Sequence, residues 1–309
     1  DGGNNLDQDP LLVDAANGDL SLQPGSPAIN AGDNTAYSNI PGNDINNDTD
    51  LAGNPRLFQT HIDMGAYEVD FKQSQWTGTT SEDWATASNW DEDVPNDQSV
   101  AVIRDISLNT PKILGLTTGE ASHLLIYETA ALKVKGILKP IAKIVNDGEI
   151  LFLSDASGSG QLDEFTGSIS GSGEILVERF IPQSNRAFRY ISSSVNTTES
   201  INANLQEGVT TASPDPNPNE GFGTHITGGT VAEGFDQTAT NNPSMFEWDA
   251  GNQEWDAILN TIPKLMNVGE AYALMIRGDR STNLTSNTSV GPATTLRFRG
   301  DLHKGDYPV

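Results

Sequence analysis

Apolar residues along this chain fall in short runs broken by turn residues, and they do not follow the spacing of a helix face. Residues 1–70 show this most plainly, since "PLLVD", "GDLSLQ", "PAIN", "PRLF" and "IDMGAYEV" are β-prone pieces only a few residues long. Between them lie Asn17-Gly18, Pro24-Gly-Ser-Pro27, Ala31-Gly-Asp-Asn34 and Pro41-Gly-Asn-Asp44. Each is a strong turn signal, because glycine admits positive φ and proline fixes φ negative. Strands this short do not build a sandwich core unaided, but they can stack coil upon coil as a parallel β-helix. In "SPAINAGDN" (26–34), Ala28 and Ile29 fit a narrow interior, Asn30 hydrogen-bonds the turn and Gly32 permits the next bend.

The pattern continues in a second unit. "WTGTTSEDWATASNWDEDVPNDQSVAVI" (76–103) spaces Trp76, Trp84 and Trp90 for strands and turns, where they serve packing. "GEIL" occurs at 148–151 and again at 173–176, and "LKVKG" (132–136) holds a similar strand-then-turn position one step earlier. That interval is what one solenoid coil consumes. A short solenoid is therefore predicted over 100–178, with Ile150, Phe152, Ile175 and Val177 facing inward. Farther on, "SMFEWDAGNQEWDAIL" (244–259) reads as a hairpin whose turn "DAGNQ" is flanked by Trp248 and Trp255. Two further strands, "ALMIRGD" and "TLRFRGD", end alike, and 179–309 reads as a jelly-roll-like β-sandwich.

"DPLLVDAANGDLSLQPGSPAINAGDN" followed by "DLAGNPRLFQTHIDMGAYE" resembles the terminal coils of right-handed parallel β-helix proteins of Bacteroidota, the family known as choice-of-anchor Q. The resemblance covers about the first 70 residues, and the Trp-rich opening of the next unit is similar to a module of large Bacteroidota surface proteins. It implies an extracellular or cell-surface address, usually reached by type IX secretion. The fold class that follows is all-β: terminal coils of a parallel β-helix (1–70), a Trp-rich module with solenoid-like repeats (71–178) and the sandwich (179–309). The chain begins in mid-pattern at Asp1 and stops soon after a strand-like segment, which reads as a piece of something larger.

Charge narrows the partners. The formal net charge is −25, and residues 1–70 hold twelve acidic side chains against one basic one, Arg56. Phosphate backbones and anionic lipid surfaces require clustered Lys and Arg, so neither nucleic acid nor an anionic membrane surface is expected as a partner. No stretch approaches the roughly 18 apolar residues that span a bilayer, so direct membrane insertion is not expected. With no cysteine, disulfides, thiolate nucleophiles and Cys-ligated zinc are excluded.

Candidate chemistry is sparse. In "NDINNDTDLAG" (43–53), Asp44, Asn46, Asp48 and Asp50 alternate so that several hard oxygens can face one Ca²⁺, the single cofactor the sequence suggests. Thr49 and Pro55 stand where a calcium loop of this length wants glycine and a bidentate acid, so a solvated acidic loop is the simpler reading. His61, His123, His225 and His303 are scattered with no nucleophile or metal-ligand spacing, so no catalytic set is named. Trp248 and Trp255 are the residues best placed to stack on a glycan, against the plainer reading that they cover a core. Arg277-Gly-Asp279 and Arg299-Gly-Asp301 are explained by turn chemistry, and the run Lys133, Lys135, Lys139, Lys143 by a charged sheet edge.

The expectation is a non-catalytic structural segment of a large secreted or cell-surface protein, a stalk, adhesin or fibre component. Its partners would be extracellular polysaccharide or protein, with self-association into a fibre or oligomer as a further option. The alternative is the cap and accessory carbohydrate-binding region of a polysaccharide-active β-helix enzyme whose active site lies upstream.

Overall fold

In the computed structural model, residues 6–104, 108–209, 220–284 and 290–303 are described. The chain is all-β and contains a β-solenoid of about four turns. Its main strands are β1 (Lys72–Gln75), β2 (Ser99–Ile103), β3 (Thr118–Ile126), β4 (Ala131–Val134), β5 (Ile137–Asn146), β6 (Glu149–Phe152) and β7 (Ser168–Ser170). They continue as β8 (Glu174–Ile181), β9 (Ala187–Ile191), β10 (Met245–Asp249), β11 (Glu254–Ala257), β12 (Tyr272–Ile276) and β13 (Thr294–Asp301). Contacts divide the chain into two compact units. One comprises Asp1–Leu132, Ile137–Gly148 and Leu162–Ser172; the other comprises Lys133–Gly136, Glu149–Gln161 and Gly173–Val309.

In the first unit, β1, β2, β3, β5 and β7 pair in parallel. The register stacks side chains in columns, one of which runs Ser74, Ala101, Leu124, Ile144, Ile169. Ala101, Leu124 and Ile144 are wholly buried. A parallel ladder about 4.8 Å per strand brings such columns into van der Waals contact, so each rung covers the apolar face of the one before. Pro140 sits inside β5, where it has no N–H to give a ladder. The register slips nearby: Ala121 faces Pro140 while His123 faces Lys143, so β5 carries one extra residue in a bulge. Trp76, Trp84 and Trp90 are buried, with Trp90 edge-on to both others at centroid distances of 5.1 and 4.7 Å, as the packing role expects.

The first rung is closed on its outer side. The Trp76 N–H donates to Val102 on β2, so the main-chain groups of Gln73 and Gln75 alternate away from that partner. Gln59 meets the first pair, accepting from the Gln73 N–H (3.1 Å) and donating to its carbonyl (3.0 Å). Asp91 meets the second: its carboxylate accepts from the Gln75 N–H (2.6 Å) and its own N–H donates to the Gln75 carbonyl (3.0 Å). A side-chain amide and a loop thus stand where another rung would lie.

This closure corrects the reading of the first seventy residues. Their described part holds an antiparallel pair, Leu12–Asp14 with Asp19–Leu22, and a five-residue helix, Asn34–Ser38, capped by Asp33. The parallel rungs run from β1 to β8 and include the short solenoid expected over 100–178. "SPAINAGDN" does bury Ala28 and Ile29, which cluster with Leu22 and Val69. Gly32 serves a different purpose from the bend expected of it: a Cβ there would fall 2.5 Å from the Ile62 side chain and 2.7 Å from its carbonyl. The Pro24-Gly25 turn is pinned to the outer face of the rungs, where the Gly25 carbonyl accepts from Tyr127 Oη (2.8 Å) and Arg104 Nη2 (2.6 Å). Arg104 itself lies over the Tyr127 ring.

In the second unit the two "GEIL" copies stack: Glu149, Ile150, Leu151 and Phe152 on β6 face Glu174, Ile175, Leu176 and Val177 on β8 in parallel. Ile150, Phe152 and Ile175 are buried as expected, whereas Val177 is half-buried and Leu176 takes a core position. Stacking like charges at Glu149 and Glu174 would be unfavourable, and Arg299 Nη1 bridges them at 3.2 and 2.7 Å. β8 then pairs antiparallel with β13 over Ile175–Ile181, which ends the parallel mode. A separate four-stranded sheet runs β9-β12-β10-β11, antiparallel throughout. The lysine run does not mark a sheet edge, because β5, with Lys139 and Lys143, lies between neighbours, and Lys139 pairs with Glu120 (2.8 Å).

Gln59→Ala removes both contacts to Gln73 and leaves two edge groups unpaired. The expected cost in chemical denaturation is about 1–3 kcal/mol, and concentration-dependent association in sedimentation velocity is expected to rise with it.

Candidate functional site

The four-stranded sheet is two-sided. Met245, Tyr272, Leu274 and Ile276 point into the core. Alternation along each strand then sends Phe188 and Tyr190 from β9, Met275 from β12, Phe246 and Trp248 from β10 and Trp255 from β11 to the other face. That face is open: Tyr190 is 79 % exposed, Phe188 47 %, Trp248 40 % and Trp255 37 %. The predicted hairpin is present, with Trp248 directly opposite Trp255 and the rings 5.3 Å apart.

Ala273 lies in the same cross-strand row as Tyr190 and Phe246, and its methyl leaves a low centre to the sheet. Across it Tyr190 and Trp255 approach to 5.5 Å with ring planes 18° apart, while Phe188 meets Phe246 at 5.9 Å. The side chains that the four strands place on this face are uncharged. The hairpin's acids, Glu247, Asp249, Glu254 and Asp256, alternate to the reverse side, where Glu247 pairs with Lys264. Sequence reasoning identified the two tryptophans but missed their aromatic neighbours. The signal was present as the alternation Phe188, Arg189, Tyr190, but nothing local ties β9 to the hairpin.

A second cluster went unseen in the sequence because its members are far apart. Asp236 takes a two-pronged contact from Arg280, Nη1 to Oδ2 and Nη2 to Oδ1, both 2.9 Å, and His225 Nδ1 lies 3.1 Å from Oδ2. Gln206 Nε2 and the Ile226 N–H also donate to Asp236. Burial alone would push this carboxyl up, but His225 and Arg280 hold it down at about 2. All three side chains are inaccessible to solvent, so the cluster ties the loops at 224–226, 236 and 280 together.

The four residues of the calcium expectation each have local work. Asp44 accepts from the Asn46 N–H and from Asn47 Nδ2, and Asp48 accepts from the Asp44 N–H and Tyr37 Oη. Asn46 donates its N–H to Asp44. Asp50 is buried and accepts from the N–H groups of Ala52, Asn54 and Glu68. Among the described residues no three His, Asp or Glu side chains gather into a metal-holding group.

The buried acids do form a network. The Asp63 carboxylate accepts from the N–H groups of Asn30 and Val69, Glu68 accepts from the Asp63 N–H, and Arg56 Nη1 lies 3.0 Å from Glu68 Oε1. Burial, reinforced by the charges of Asp63 and Asp50, pushes the Glu68 carboxyl up to about 7 despite the Asp63 N–H and Arg56.

Both Arg-Gly-Asp triplets are structural. Asp279 is buried and accepts from the N–H groups of Gly221 and Ser281. Gly300 lies inside β13, where a Cβ would fall 2.0 Å from the Asn196 carbonyl oxygen.

Two outcomes follow from the buried groups. Glu68 holds its proton more tightly in the fold than its ordinary value of 4.5, so its contribution is favourable below pH 4.5 and is lost as pH rises towards about 7. Across that window the melting temperature of the native protein should fall relative to that of Glu68→Gln, which cannot ionise. Arg280→Met should cost about 3–5 kcal/mol in urea unfolding, because it leaves the Asp236 charge buried without its guanidinium partner.

Comparison with protein-family models, curated proteins and solved structures finds no match to this chain.

Proposed function

We propose that this chain is a non-catalytic structural segment of a large secreted or cell-surface protein, acting as a spacer in a stalk or adhesin. The observation that carries the reading is the parallel ladder from β1 to β7, in which apolar columns stack rung on rung. Such a ladder resists bending because deformation must break many main-chain hydrogen bonds together. Function then resides in reach and in the faces the scaffold presents, not in a reaction centre. The acidic surface suits this role, since mutual repulsion keeps long extracellular chains soluble and apart.

Labelling of intact producing cells with antibodies to this chain, viewed by electron microscopy, tests the proposal. Label standing off the outer surface is expected. Label confined to the cell interior would overturn the reading, as would release of reducing sugar from any polysaccharide by the purified chain.

A further inference from the structure

We infer that the aromatic face of the β9-β12-β10-β11 sheet is a binding site for a neutral polysaccharide chain. A large apolar patch left open on a folded sheet marks a contact surface when it is contiguous and its reverse side already fills the core. Both conditions hold here, since the strands alternate between buried core residues and exposed rings.

The composition of the face selects the occupant. It is aromatic with little aliphatic bulk, and aromatic π-faces attract the polarised C–H groups on one side of a pyranose ring. Tyr190 is stacked on Trp255, with centroids 5.5 Å apart and planes 18° from parallel, and Trp248 stands edge-on to Trp255. The three rings thus form one raised aromatic cluster whose outer faces and edges are open to a sugar ring. Tyr190 Oη and Trp255 Nε1 add polar tips for sugar hydroxyls.

Charge excludes the other occupants. The protein carries a net charge of −25, and the hairpin under the face holds Glu247, Asp249, Glu254 and Asp256 on its reverse side. The four strands themselves place no cation on the face for an acidic glycan, and the basic groups beside it, exposed Arg186 before β9 and Arg277 after β12, lie beyond the strand ends. A second copy would bring the same negative field against this one, whereas a neutral glycan brings no charge and meets no repulsion. This ligand class does not depend on whether the parent protein is a stalk or an enzyme.

The test is retention of the full chain in affinity gels and pull-downs, using neutral β-glucan, mannan, xylan and chitin against alginate and polygalacturonate. Retention is expected on at least one neutral polymer, unchanged between low salt and about 0.5 M NaCl because no ion pair is involved. Trp255→Ala and Tyr190→Ala should each weaken it by about tenfold, with Tyr190→Phe retaining most of it. Leu259→Ala, an exposed apolar change on the chain just beyond β11, should leave it intact. Each variant's circular dichroism and melting curve establish that it is folded.

Failure of every neutral polymer to retain the chain would overturn the inference. So would retention by the acidic polymers alone, or retention unaltered in folded Trp255→Ala and Tyr190→Ala. A dimer in sedimentation velocity that Trp255→Ala dissolves would assign the face to a second copy and overturn it too.

Discussion

A parallel strand leaves main-chain donors and acceptors on both of its edges, and each must find a partner. Most of this molecule's architecture answers that requirement. Between β1 and β7 the partner is the next rung. Beyond β8 it is the antiparallel β13, and outside β1 it is Gln59 and Asp91. The side-chain amide of Gln59 offers the same donor and acceptor as a peptide unit, so it terminates the ladder without leaving either group of Gln73 unpaired.

The same demand explains why the acids of the first seventy residues are so numerous. Without a regular ladder, the turns there are satisfied by carboxylates: Asp50, Asp63 and Glu68 each accept main-chain N–H groups in succession. A carboxylate offers several acceptor sites and no donor, which suits loops whose N–H groups point inward. Burying these charges has a cost. It is visible in the raised carboxyl of Glu68 and is offset locally by Arg56, the lone basic side chain of the segment.

The second unit turns a different imbalance to use. A sheet needs only one face for its core, and here the unused face has been furnished with rings over the small Ala273. Behind it the strands are anchored by the buried side chains of Tyr272, Leu274 and Ile276. Asp236 and Arg280 secure loops of the same unit from the inside.

The sequence by itself determined the all-β class, the solenoid repeat and the tryptophan hairpin. Each is encoded within a short span: "GEIL" recurs at the interval at which its copies stack, and Trp248 and Trp255 are separated by one turn. Buried Ala28, Ile29, Ile150 and Ile175 were legible for the same reason, since a narrow interior selects small and branched apolar residues wherever the chain turns inward. Only the tertiary structure decided where the solenoid starts. The first seventy residues have the composition of coils, but whether a turn-rich segment stacks or caps depends on what occupies the edge of β1, and Gln59 and Asp91 reach it from different loops. The aromatic face was likewise half visible. The register of β9 against β12 brings Tyr190 to Trp255, and no local pattern specifies a pairing across more than sixty residues.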